Sequence, residues 1–94
     1  MLIRDVRMTK TAQKQFEKLP LHLQHKVLAW ISDVSERGLR EVQRSVGLHD
    51  EPLKGPRKGE RSVRLNRHWR LIYVLRENGI PHIVEIQEFT PHAY

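Results

Sequence analysis

Cysteine is absent from this 94-residue sequence, which excludes a disulfide framework and a thiolate nucleophile. Aromatic residues make up only 6%, too few at exposed positions for base-by-base stacking of a single strand. No apolar run approaches the length of a membrane span, and Arg4 and Asp5 interrupt the start, MLIRDVRMTK, so it is no signal peptide. A cytoplasmic protein with no membrane partner is the expectation. No G-x-x-x-x-G-K-[ST], no G-x-S-x-G and no cluster of metal-binding carboxylates occurs. His22 and His25 stand three apart on a helix, but a third ligand is missing and a solvated pair is the plainer reading. Neither a metal nor a small-molecule cofactor is expected.

Acidic residues are also scarce relative to basic ones: 11 against 17, a formal charge of +6. That imbalance points to nucleic acid or an acidic protein as partner. Leu, Ile, Val, Trp and Phe nevertheless recur with regular spacing, so residues 1–94 should fold as one domain rather than a basic tail. Residues 2–8 alternate as a short strand. Thr9 or Thr11 offers an N-cap for a helix over about 10–18. Pro20 suits the first turn of a second helix, whose stripe of Leu23, Val27, Trp30, Ile31 and Val34 ends at Gly38. Residues 39–46 allow a short third helix. Strands are expected at about 60–65, 69–76 and 82–89, with Asn78-Gly79 as a turn signal before Pro81. The order β-α-α-β-β-β describes an α+β domain: an N-terminal strand, a helical hairpin, then a three-stranded antiparallel meander, with the helices on one face of an antiparallel sheet.

The stretch EPLKGPRKGERSVRLNRHWRLIY, Glu51 to Tyr73, carries seven of the 17 cations: Lys54, Arg57, Lys58, Arg61, Arg64, Arg67 and Arg70. Val63 and Leu65 share one strand face; Trp69, Leu71, Tyr73 and Leu75 share a face of the next. Burying both sets together requires Leu65 opposite Trp69 and Val63 opposite Leu71, because a one-residue slip would turn every side chain over. Asn66-Arg67-His68 then forms the turn, and Arg64 lies directly opposite Arg70 on the face away from the helices. Opposed like charges destabilise an antiparallel pair. Either Glu85 or Glu88 of the last strand neutralises them, or an anion does, and phosphate suits the planar guanidinium fork. Lys54, Arg57, Lys58, Arg61 and Arg67 then read as a track for an RNA backbone. Ile72 and Val74 share that face, so part of it must be covered.

The segments EPLKG, RSVRLNRHWRLIY and the closing PHAY resemble the RelE/ParE superfamily of small bacterial toxins. Between Glu51 and Tyr73, E-P-L-K, S-x-R and R-L-x-Y are similar to YoeB-type members, and the LKG…G…WR spacing to HigB-type members. The resemblance implies a RelE-like sheet and the toxin of a type II toxin–antitoxin system. Such a toxin is a ribosome-dependent mRNA endonuclease that inhibits translation, and a cognate antitoxin protein holds it inactive. It implies Glu51 as general base, Arg64 and Arg70 as phosphate ligands, and Lys54 as a further cation of the site. Family members end in His-Tyr, whereas Ala93 here separates His92 from Tyr94. One of these two, or Glu88 as in HigB-like members, completes the acid–base set.

The chemistry so implied is cleavage by the RNA's own 2′-hydroxyl, leaving a 2′,3′-cyclic or 3′-phosphate. His92 is the natural acid, since imidazole ordinarily titrates near neutrality. The alternative is a ParE-like inhibitor of DNA gyrase without nuclease activity. ParE-type toxins generally lack the acid–base set, so E-P-L-K with H-A-Y favours the nuclease.

Overall fold

The computed structural model describes residues 2–77 and 82–91. Strand β1 (Asp5–Met8) leads into helices α1 (Lys10–Lys18) and α2 (Leu21–Arg37), then the short α3 (Leu39–Gln43). Four strands follow: β2 (Glu51–Pro52), β3 (Glu60–Arg64), β4 (Trp69–Arg76) and β5 (Ile83–Pro91). Single 3-10 turns occupy Val46–Leu48 and Gly55–Arg57. No helix among the described residues is long and apolar enough to cross a membrane.

The helix ends follow the side chains available. Thr9 is the N-cap of α1: its Oγ1 accepts from the Ala12 N–H at 3.0 Å and its hydroxyl donates to the Gln87 carbonyl at 3.1 Å. Leu19 and Pro20 are extended, which breaks the chain into a helical hairpin, and Pro20 takes the N-cap position of α2. Gly38 ends α2 at φ +87°, a conformation that side-chain-bearing residues resist, and a Cβ there would meet Leu2 Cδ2 at 3.1 Å.

Five strands make one sheet in the order β1-β5-β4-β3-β2. The expectation of an antiparallel sheet is corrected at one edge: β1 runs parallel to β5, with Asp5 beside Ile83 and Met8 beside Ile86. A parallel neighbour needs a long crossover rather than a hairpin, and everything between β1 and β5 serves as that crossover. The remaining pairs are antiparallel. The two-residue β2, which no strand expected from the sequence includes, forms where Glu51 and Pro52 meet Ser62 and Arg61.

The core lies between the helices and one sheet face. Ala12, Leu23, Val27, Trp30, Val34, Leu39 and Val42 pack against Val63, Leu65, Leu71, Tyr73, Val84, Ile86 and Phe89. Trp30 and Tyr73 meet with ring centroids 5.4 Å apart. A register shift opposite Ile72 and Tyr73 lets Val84, Ile86 and Phe89 all face inward, since one extra β5 residue resets the alternation. The same bulge turns both Glu85 and Glu88 outward.

Beneath the helix-side face lies a polar network. The Asp50 carboxylate, its side chain 0% exposed, accepts from Arg61 Nε at 2.6 Å and from the Tyr73 hydroxyl at 2.7 Å. Gln43 donates to that hydroxyl at 2.9 Å. Burial, then the Asp50 charge, pushes the Tyr73 hydroxyl well above its ordinary pKa.

Candidate nucleic-acid interface

The hairpin that carries the site forms in the register that the apolar alternation requires. Val63 pairs with Leu71 and Arg64 with Arg70. Leu65 donates its N–H to the Trp69 carbonyl at 3.0 Å. Asn66 builds the turn, its Oδ1 accepting from the N–H groups of His68 and Trp69 at 2.9 and 2.8 Å.

Opposed residues of an antiparallel pair project to the same side, with Cβ atoms about 4.5–5.5 Å apart. The outer face therefore carries the row Arg64, Arg70, Thr90 and, beside it, the row Glu51, Ser62, Ile72, Glu88. Glu51 is a diagonal neighbour of Arg64, about 7–8 Å away between strands, and its carboxylate is exposed on the edge strand. The sheet thus brings Glu51, Arg64 and Arg70 onto one face.

Neither carboxylate of β5 reaches the arginine pair. Arg76 and Gln87 engage Glu85, at 3.1 and 2.6 Å. Glu88 accepts from Arg57, which also donates to Glu60 at 2.6 Å. The bonds to Glu60 and Glu88 hold the Arg57 guanidinium all the more firmly protonated. Because Glu60 and Glu88 flank β4, the Arg57 side chain passes over that strand. Ile72 beneath it is 0% exposed although it lies outside the main core. The expected cover on this face is therefore a salt-bridged arginine supplied by the 3-10 turn at Gly55–Arg57.

Arg70 Nη1 donates to the carbonyls of Asn66 and Trp69, at 2.8 and 3.1 Å, which holds its guanidinium toward the turn. Among the described residues, no carboxylate lies within ion-pair distance of Arg64 or Arg70. Lys54 and Lys58 are exposed in the β2–β3 connection and Arg67 in the β3–β4 turn, at opposite ends of β3. Arg61 is not brought to this face. It shares the parity of Val63 and Leu65, points to the helix side and is bound to Asp50, a placement that the alternation itself signals. His92 and Tyr94 lie outside the described residues. Sequence reasoning passed over Lys26 of α2, whose Nζ donates to the Leu65 carbonyl at 2.9 Å beside Arg64. Its place on the flank of the apolar stripe of α2, three residues after Leu23 and four before Trp30, is the signal that could have found that contact.

No protein-family model matches the sequence, and neither does any curated protein. Solved structures do match. A YoeB/ParE toxin from Agrobacterium tumefaciens superposes with a TM-score of 0.72 at 18% identity, covering 95% of this chain and 99% of that one. The archaeal RelE–RelB complex from Pyrococcus horikoshii gives 0.70 at 16% identity, covering 98% of each chain. The E. coli DinJ–YafQ toxin–antitoxin complex gives 0.68 at 19%, covering 97% of this chain and 94% of that one. Across nearly the full length of all three, at identities this low, what is shared is the architecture: this chain has the fold of the RelE/ParE superfamily toxins.

Proposed function

We propose that the chain is the toxin of a toxin–antitoxin pair and an endoribonuclease that cuts mRNA on the ribosome. The observation that carries this reading is the Arg64–Arg70 pair. Two guanidiniums directly opposed on a sheet face, without a carboxylate partner among the described residues, favour an anion between them. Glu51 stands diagonally beside them, where a base is needed.

In the proposed reaction the Glu51 carboxylate takes the proton of a ribose 2′-hydroxyl. The 2′-oxygen attacks the adjacent phosphorus, Arg64 and Arg70 stabilise the pentacoordinate phosphorane, and the P–O5′ bond breaks. The departing 5′-oxygen takes a proton from an acid. Glu88 is an acceptor for Arg57, which speaks for His92 or Tyr94 in that role. The products are a 2′,3′-cyclic phosphate and a 5′-hydroxyl. Lys54, Lys58 and Arg67 hold neighbouring phosphates.

A cognate antitoxin as partner draws support from two sources. Similar chains are found in complexes named RelE–RelB and DinJ–YafQ toxin–antitoxin, and a charge of +6 invites an acidic or amphipathic segment. Incubation with ribosomes and mRNA, followed by sequencing of the cut ends, tests the nuclease. A 3′-hydroxyl with a 5′-phosphate would rule out the mechanism. A supercoiling assay run beside it tests the competing target, since gyrase inhibition without RNA cleavage would overturn the proposal.

A further inference from the structure

The chain reaches Glu51 through a strained residue and then a buried one. His49 adopts the left-handed conformation at φ +45°, a state that persists in a residue other than glycine where neighbouring contacts over-determine it. Asp50 follows, and its side chain is 0% exposed although it immediately precedes the edge strand β2. Strand β2 itself offers little to hold a base in place. It is two residues long, and Pro52 brings no N–H to the ladder. We propose that Asp50 is a positioning residue for Glu51, anchoring β2 from the helix side so that the Glu51 carboxylate faces the arginine pair. The inference rests on the nuclease reading above.

Asp50 and Glu51 point to opposite faces of the sheet, as successive strand residues do. On the helix side Arg61 stands directly opposite Tyr73, and this pair grips Asp50 from two strands. Arg61 Nε donates to Asp50 Oδ1 at 2.6 Å, and the Tyr73 hydroxyl donates to Oδ2 at 2.7 Å. Arg61 Nη2 also donates to the Asp50 backbone carbonyl, at 3.3 Å. Gln43 donates to the Tyr73 hydroxyl oxygen at 2.9 Å, which leaves the hydroxyl proton to Asp50. Three bonds therefore end on the residue before Glu51, on its side chain and on its backbone. A buried ion pair adds little net stability over apolar packing, but it admits one geometry. Glu51 inherits that geometry. A general base must sit within hydrogen-bond reach of the proton it takes, and an ångström of misplacement costs up to about 100-fold in rate.

Cleavage of mRNA on ribosomes by Tyr73→Phe tests the inference, because Phe keeps the ring against Trp30 and removes one bond to Asp50. The variant's kcat should fall about tenfold while KM stays level, the pattern of a displaced catalytic group rather than a weakened phosphate site. Asp50→Ala should cost more than Asp50→Asn, whose amide oxygen keeps an acceptor for the anchor. These losses act through Glu51, so Tyr73→Phe added to Glu51→Gln should cost nothing further. Additive losses, or a raised KM with kcat unchanged, would overturn the inference. Amide hydrogen exchange reads the anchor without RNA. The Leu53 N–H, just past β2, donates to the Glu60 carbonyl at 2.9 Å. It should exchange about fivefold faster in Tyr73→Phe, the worth of one hydrogen bond. The Thr9 and Leu65 amides, bonded to the Ile86 and Trp69 carbonyls, should hold their rates. Faster exchange at Leu53 alone, in a protein that cuts no RNA, would retain the anchor and discard the nuclease. Equal acceleration at all three amides, or none, would make the network a general stabiliser and overturn the inference.

Discussion

Arg64 and Arg70 repel each other in the free protein, and that repulsion separates their two roles by experiment. Replacing both with Ala should abolish toxicity and RNA cleavage while the unfolding free energy stays level or rises by up to about 1 kcal/mol, the size of a cross-strand pair effect. Urea titration beside a growth assay checks both; a folded, fully toxic double variant would remove the anion site. Glu51 is exposed on a two-residue edge strand, so Glu51→Gln should leave the fold and ribosome binding unchanged. Cleavage should drop by about 10² to 10⁴. Tyr73 carries a pH signature of a different kind. Its folded pKa lies above the unfolded value of about 10. Its contribution to stability is therefore complete below about pH 10 and is lost as pH rises toward the folded pKa. Stability measured from pH 8 to 11 should fall at the alkaline end, and Tyr73→Phe should flatten that fall.

At the scale of the elements, the β3–β4 hairpin was the most legible part of the sequence. Period-two alternation in Val63, Leu65, Trp69 and Leu71 admits a single register, and the structure has it. The helical hairpin was equally plain, with Thr9, Pro20 and Gly38 marking its ends. Three features were not written in local pattern. The parallel docking of β1 on β5 depends on which edge is free, a property of the assembled sheet. The β5 bulge places Glu85 and Glu88 on one face against strict alternation. The Arg57 bridge joins a 3-10 turn to strands three and 31 residues further on. Arg61 was read as part of the basic track, yet its side chain completes the Asp50–Tyr73 network on the other side of the sheet. Arg61→Met should therefore act first on stability, by about 3–5 kcal/mol, because it strands a buried carboxylate. Thermal unfolding checks this; an unchanged midpoint with weakened RNA binding would return Arg61 to the interface.

Over the whole molecule, the outer face and the connections at the two ends of β3 carry cations that have no carboxylate partner among the described residues. Lys54, Lys58, Arg64, Arg67 and Arg70 form that set, whereas Arg57 and Arg61 are bound by acids. If these five meet phosphates of a single strand, log K should fall with log salt at a slope of about −3 to −4. Filter binding between about 50 and 200 mM salt measures it. A slope near zero would point to a partner recognised through protein contacts alone.

The sheet order has a consequence in time as well as in space. β5 comes last of the five strands along the chain but lies inside the sheet, between β1 and β4, and the Thr9 hydroxyl finds its carbonyl on β5 across 78 positions of sequence. A contact that distant carries a high loop-closure cost and tends to form late. During synthesis, β1 and the helical hairpin emerge with no strand to dock on, and Arg64 and Arg70 can pair while the sheet is still open on one side. The face becomes rigid only when β5 arrives and joins both halves in one step. The rigid outer face is thereby tied to synthesis through Pro91, although every residue of the β2–β3–β4 row is made before it.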